Sequence, residues 1–388
     1  SQVMAMRTLE NDINEAIKAK KIAGCVLLAA SHDDRYNYSK AFGQRSMEAD
    51  SHALQTTDVF ALISCGKLLV SIATLQLVER NLVSLDTDVG ALIPELACQS
   101  ILTGFTHEGL PMQQQRREPI RVRDLLTHVV GLSCFDPLLV RYFESQGRTP
   151  LQETTVAQRF AVPLLAEVGA SFHYGPSFDW LGRIVEILTG VSLDTYVQNN
   201  ICNPLNIKDI FFSMKNLKQV QERLVSTSML AEGGVMKPNT QGSINDIITE
   251  CFGGQSGHAN LESFLTVLRS LTANDGKLLQ QGTVDMMFRP QLGKESKLAL
   301  NKQIKERSGL VHLFTGPEEG DYDWNFAGRV RVQDGKPEFT DWFGMMNTYW
   351  FIDHKRGICG IFGTQSLPMG EPESMELCRR WVQQTTSQ

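Results

Sequence analysis

Ser64 and Lys67, within Phe60-Ala61-Leu62-Ile63-Ser64-Cys65-Gly66-Lys67-Leu68-Leu69, are the residues whose types and spacing could do chemistry. Placed three apart on a helix, they share one face, about one turn from each other. A serine hydroxyl is too weak an acid to attack a carbonyl unaided. An amine beside it, desolvated by apolar neighbours and so able to shed its proton near neutral pH, can accept the hydroxyl proton and make a nucleophile. The free N–H groups of a helix N-terminus also favour the negative charge that grows during acyl transfer. This chemistry passes through a serine ester.

A bare Ser-x-x-Lys is a weak signal in a chain of this size, and its setting strengthens it. Leu68, Leu69, Ile72, Leu75 and Val78 repeat at helical spacing, which predicts a buried helix with the polar pair at its start. Around it, Met6, Leu9, Ile13 and Ile17 form a helical stripe. Gly24–Ala30 reads as a buried strand, returning after a His32-Asp33-Asp34 turn as a second strand from Arg35 to Phe42. From about 64 to 230 the pattern is mostly helical, with short helices at 121–128, ended by Gly131, and at 179–189, stopped by Gly190. A helix over 260–271 with Asn260 as its cap follows, and the charged stretch 292–320 reads as a loop passing over the site. Strands are expected at 325–332, 347–353 and 357–364, then a final helix at about 372–384. Strands at both ends predict one sheet assembled from both termini, with the middle of the chain as a separate helical lobe.

At 388 residues with 42% hydrophobic content, the chain can bury one large core or two moderate ones. The net charge of −6 and the lack of a basic patch interleaved with aromatics argue against nucleic acid as a partner. No apolar run long enough to cross a membrane is present, and the N-terminus lacks a charged-then-apolar leader pattern. Eight cysteines without CxxC or CxxH spacing read as reduced, buried thiols of a cytoplasmic protein, without a disulfide framework or a metal site. Cys65, next to Ser64, is expected to pack rather than react.

Several local patterns resemble the serine β-lactamase and penicillin-binding-protein family, in its class C and esterase branch. Leu125-Leu126-Thr127-His128-Val129-Val130-Gly131-Leu132 is similar to a family segment, as are Leu85-Asp86-Thr87-Asp88-Val89 and Pro204-Leu205-Asn206-Ile207. Tyr174-Gly175-Pro176-Ser177, running into a helix that ends at Gly190, resembles the second catalytic motif. Within the family, Tyr174-Gly175-x-x-x-Asp179-Trp180, Glu250-Cys251-Phe252-Gly253-Gly254-Gln255 and Phe343-Gly344-Met345-Met346-Asn347 look like the fungal lovastatin-type acyltransferases.

The resemblance implies an α+β fold of the β-lactamase/transpeptidase type: an antiparallel sheet built from both termini and flanked by helices, plus a mostly helical lobe. One domain would comprise 1–80 and 240–388 and the other 81–239, with the active site at their interface. It further implies Ser64 as nucleophile, Lys67 as its base and Tyr174 as a partner in the proton relay. The oxyanion hole would combine the Ser64 N–H with that of Met345, with Gly344 allowing close backbone approach. Proline at 176 and Trp342-Phe343 before Gly344 depart from members that handle β-lactams, which carry an Asn and a cation at those places. A carboxylate anchor is therefore missing, and Trp342, Phe343, Met345 and Met346, with Trp324 and Tyr349, are expected to form an apolar groove. His128 and His258 are expected to be structural. Gly254-Gln255-Ser256-Gly257-His258 lacks the glycine that a nucleophile elbow needs two residues after its serine, which disfavours an α/β-hydrolase.

The activity so implied is transfer of an acyl group from a thioester, carried by an acyl-carrier protein of a polyketide synthase or by coenzyme A, to a hydroxyl of a small secondary metabolite, without a cofactor. Hydrolysis of an ester or thioester through the same acyl-enzyme is the alternative. A silent, purely binding member is the third reading, disfavoured by the joint presence of Ser64, Lys67 and Tyr174.

Overall fold

Gly24–Ser31 is buried along its whole length, and so is Ile358–Gly363, with which it pairs antiparallel in the register Leu27 opposite Phe362. Successive side chains of a strand point to opposite faces, so unbroken burial means that both faces of the sheet are covered here. The structure, a computed structural model, describes residues 1–316 and 319–388. Seven strands form the main sheet in the order Asp321–Trp324, Arg329–Gln333, Lys336–Phe343, Tyr349–Asp353, Ile358–Gly363, Gly24–Ser31, Asn37–Gly43. All neighbours are antiparallel. The two ends of the chain thus meet in one sheet, as the strand pattern predicts. Helix Leu261–Ala273, capped by the Asn260 side chain on the Ser263 N–H, packs on the central strands. The terminal helices Gln2–Lys18 and Pro372–Thr386 pack on each other and on the sheet.

The segment between is richer in strand than its sequence pattern suggests. Ser100–Phe105 and Pro111–Gln115 form a two-stranded hairpin, and short strands lie at Ile210–Phe211, Ser228–Leu230 and Met236–Pro238. The 292–320 stretch is not a loop throughout: Lys294–Lys305 is a helix that buries only Ser296 and Leu300, too narrow a stripe to register as amphipathic. Residues 317 and 318 of that stretch lie outside the described residues. Of the strand expected at 325–332 only the second half is strand, within Arg329–Gln333; residues 325–328 form a turn in which the Asn325 side chain accepts the N–H groups of Ala327 and Gly328, and a strand not expected, Asp321–Trp324, precedes it. Lys336–Phe343 is a further strand beyond those expected.

Helix Lys67–Glu79 is buried from Lys67 to Leu77, and Ser177–Thr189 lies against it, ended by Gly190 in the left-handed conformation at φ +73°. One hydrophobic cluster runs from Leu27 and Phe362 in the sheet through Leu69 and Ile72 to Leu126, Phe160 and Ile184. The start of the Lys67–Glu79 helix is therefore held between sheet and helices, and the candidate site lies there.

Candidate active site

Ser64 is reached through a short strand, Val59–Ala61, paired with His258–Asn260. The Leu62 N–H then donates to the Gly257 carbonyl at 2.8 Å, and the chain turns sharply at Ile63, whose φ is +48°. A β-branched residue in the left-handed region is strained by about 1–3 kcal/mol and persists only where its surroundings impose it. Ile63 is buried, so packing does so here. Ser64 sits in a 3₁₀ turn, Ile63–Gly66, and Lys67 opens the α-helix. The strained residue sets the direction from which the serine faces the cavity.

Lys67 Nζ donates to Ser64 Oγ at 3.0 Å and to the Gly254 carbonyl at 2.9 Å. It is 7% exposed and, among the described residues, has no carboxylate within ion-pair distance. The spacing expectation for the pair is met in geometry. Tyr174 lies just ahead of the Ser177–Thr189 helix, with Lys67 Nζ 4.8 Å from its ring centroid. Its turn depends on Gly175, where a Cβ would stand 2.3 Å from the Leu132 carbonyl. The Tyr174 hydroxyl accepts a hydrogen bond from Trp342 Nε1 at 2.9 Å.

The strand Lys336–Phe343 delivers Trp342 and then ends in a Gly344–Asn347 turn, closed by the Asn347 N–H on the Gly344 carbonyl at 3.0 Å. A Cβ on Gly344 would lie 2.4 Å from the Leu62 carbonyl, so only glycine lets this turn come against the Ser64 turn. Among the described residues neither the Ser64 N–H nor the Met345 N–H has an acceptor. Two unspent donors on adjoining turns are what an oxyanion would need.

Ser64, Lys67, Tyr174 and Met345 share one cavity of about 70 Å³ with Cys134, Phe135, Leu151, Ile244 and Leu310. Lys67 is the sole cation of its lining among the described residues. Of the six expected groove residues only Met345 lines this cavity; Met346 is buried with its sulfur accepting from the Thr227 hydroxyl, and Trp324 is buried against His128 and Phe172. Phe343 does not line it: its ring is buried against Phe314 and Trp342, at 4.9 and 4.5 Å between centroids. Tyr349 is buried with its hydroxyl on Asp341. Trp342 is absent from the lining and reaches the site through Tyr174.

His128 is buried among Tyr174, Phe178 and Trp324, and burial drives its pKa well below the usual imidazole value. Burial likewise takes His258 down to about 4. Both are packing groups, as expected. Cys65 is buried with its thiol on the Thr348 carbonyl, and burial raises its pKa far above the ordinary thiol range. Asp179 is the residue that sequence reasoning left out of the site. It lines the cavity at 2% exposure, its Oδ1 accepting the Gly254 N–H at 2.9 Å. Burial raises its pKa to about 6 against the opposing pull of Lys67 and Arg159. Its place in Tyr174-x-x-x-x-Asp179, at the start of a helix that follows a catalytic motif, was the available signal.

No group of three His, Cys, Asp or Glu side chains among the described residues is placed to hold a metal ion. No helix among them is long and apolar enough to cross a membrane.

The sequence pattern of the beta-lactamase family matches residues 9–379. The monacolin J acid methylbutanoyltransferase of Aspergillus terreus is 32% identical over 96% of this chain and 93% of its own length. The lovastatin esterase of Penicillium rubens is also 32% identical, over 92% of each chain. Among solved structures, a mutant of the simvastatin synthase of Aspergillus terreus superposes with a TM-score of 0.89 at 32% identity, covering 98% of both chains.

Proposed function

This chain belongs to the β-lactamase family and is an enzyme of the acyltransferase/hydrolase type, and we propose that it transfers an acyl group from a thioester to a hydroxyl of a small secondary metabolite. The observation that carries this reading is the 3.0 Å contact between Lys67 Nζ and Ser64 Oγ in a cavity walled largely by apolar side chains. Where relatives that handle β-lactams carry a cation, this chain has Trp342, which favours an uncharged acyl group over a carboxylate-bearing substrate.

In the first half-reaction Lys67 takes the Ser64 proton as Oγ bonds to the thioester carbon. The carbonyl π pair moves onto oxygen, where the Ser64 and Met345 N–H groups stabilise it. Collapse expels the thiolate, and Tyr174 supplies the proton that leaves with it as a thiol. In the second half an acceptor hydroxyl attacks the acyl-Ser64 ester, its proton passes to the Lys67–Tyr174 pair, and Ser64 Oγ departs reprotonated. Trp342 Nε1–H, fixed on the phenol oxygen, holds Tyr174 for both transfers.

The proposed donor is an acyl-carrier protein of a polyketide synthase or coenzyme A, in a cytoplasmic setting consistent with eight free cysteines. Residues 1–80 with 240–388, and 81–239, are proposed as two domains with Ser64 at their junction. Hydrolysis is a second reading, since the lovastatin esterase is as similar as the methylbutanoyltransferase. Intact-protein mass after incubation with short acyl-N-acetylcysteamine thioesters tests both. A persistent adduct, lost in Ser64→Ala and discharged by an alcohol, establishes transfer. An adduct that decays equally fast without alcohol, releasing free acid, establishes hydrolysis, and no adduct with any donor refutes the acyl-serine.

A further inference from the structure

Asp179 is buried, lines the reaction cavity and has no part in the proton transfers just described. The only hydrogen bond of its carboxylate to another residue, among the described residues, joins Oδ1 to the Gly254 N–H at 2.9 Å. The same residue's carbonyl receives Lys67 Nζ at 2.9 Å, and Lys67 in turn donates to Ser64 Oγ at 3.0 Å. The backbone of Gly254 is thus held on one side by a carboxylate and on the other by the base. Its lack of a side chain is part of this arrangement, because a Cβ there would stand 2.7 Å from Asp179 Oδ2.

We infer that Asp179 is a positioning residue for Lys67: through Gly254 it fixes the carbonyl that orients the amine, and its charge offsets the ammonium formed when Lys67 takes the Ser64 proton. This rests on Ser64 and Lys67 acting as nucleophile and base. Three groups face the carboxylate. Lys67 on the helix Lys67–Glu79 and Arg159 on Val156–Phe160 attract it, and the Cys134 thiol, pushed by burial up to about 12, stays neutral beside it. Arg159 is committed to the carbonyls of Glu153 and Ile244, which leaves Lys67 as the cation whose charge changes during the reaction. With burial holding the Asp179 pKa at about 6, the countercharge is present above that pH and lost below it.

The test is stopped-flow acylation of the full chain by p-nitrophenyl butyrate from pH 5 to 8, comparing wild type, Asp179→Asn and Gly254→Ala, with thermal melts of each. Asparagine keeps an acceptor for the Gly254 N–H and removes only the charge. The expected result is a fall of at least about tenfold in the acylation rate constant with KM nearly unchanged. The acid limb centred near pH 6 should disappear as well. Gly254→Ala, which displaces the carboxylate without altering residue 179, should give the same rate loss. Wild-type rates, or an acid limb that persists in Asp179→Asn, would overturn the inference. If Asp179→Asn does not fold, Gly254→Ala decides alone, and a wild-type rate there sinks the proposal. Failure of wild-type Ser64 to be acylated at all would instead defeat the underlying reading of the site.

Discussion

Trp342 donates its indole N–H to the phenol oxygen of Tyr174 at 2.9 Å, across 168 residues of sequence. The indole is buried, 4.7 Å from Trp324 and 4.8 Å from Tyr174 between ring centroids, so it cannot turn away to water. With its oxygen occupied as an acceptor, the phenol is left with a proton free to give. The neutral donor does the positioning without adding a further charge beside Lys67 and Asp179.

Trp342→Phe keeps most of the ring contacts and deletes that donor. A buried acceptor left unpaired costs about 1–3 kcal/mol. We expect acylation by an activated ester to slow by about tenfold to a hundredfold. In a Tyr174→Phe background the same change should add little, because the group it serves is gone. Equal losses in both backgrounds would show that Trp342 acts on packing alone.

The nucleophile, its base and the tyrosine were legible because each rests on local spacing or on a short motif. What the motifs could not reveal was set by distant partners. Asp179 looks like an ordinary first-turn acid until Gly254, 75 residues away, is placed on its Oδ1. The strand Lys336–Phe343 hid behind Pro337, Glu338 and Asp341, which break the alternation. Asp341 is tolerated inside because Arg329 meets it through two hydrogen bonds, of 2.8 and 2.7 Å. Phe343 reads as a groove residue from its neighbours in sequence, whereas its ring is taken up by Phe314 and Trp342, which no local motif shows.

Gly344→Ala tests whether the Met345 turn must touch the Ser64 turn. The new methyl would meet the Leu62 carbonyl at 2.4 Å, and backbone on both sides leaves no flexible atom to yield. The turns must part, which costs about 1–3 kcal/mol of stability and moves the Met345 N–H away from the reacting oxygen. Acylation should fall by about a hundredfold or more, with a melting temperature only a few degrees lower. A variant that acylates at the wild-type rate would remove Met345 from the oxyanion hole.

Asp179 also makes a claim on stability. Its native pKa of about 6 lies above the ordinary 3.8, so the folded state holds that proton more tightly than the unfolded chain does. The stability contributed by the protonated carboxyl is complete below pH 3.8 and lost as pH rises through about 6. Relative to Asp179→Asn, wild type should lose about 2–3 kcal/mol between pH 4 and pH 7.5. Urea denaturation of both proteins at the two pH values measures it, and a difference that stays constant with pH would mean that the carboxylate ionises normally.

Leu310 and Ile244 close the cavity around Ser64, and its volume of about 70 Å³ limits the acyl chain that the serine ester can carry. Leu310→Ala removes three carbon atoms from that wall. Because Leu310 is only partly buried at the end of a surface segment, the loss of stability should be smaller than the ~2–5 kcal/mol of a core leucine. The chain-length profile for p-nitrophenyl esters should move to an optimum about two to three carbons longer, with the rate on the longer chains raised by about 1 kcal/mol per added methylene accommodated, or roughly fivefold each. Short esters should bind less tightly, having lost contacts on one side. A profile that keeps its optimum while all rates fall together would place the acyl chain elsewhere and leave this cavity to the acceptor.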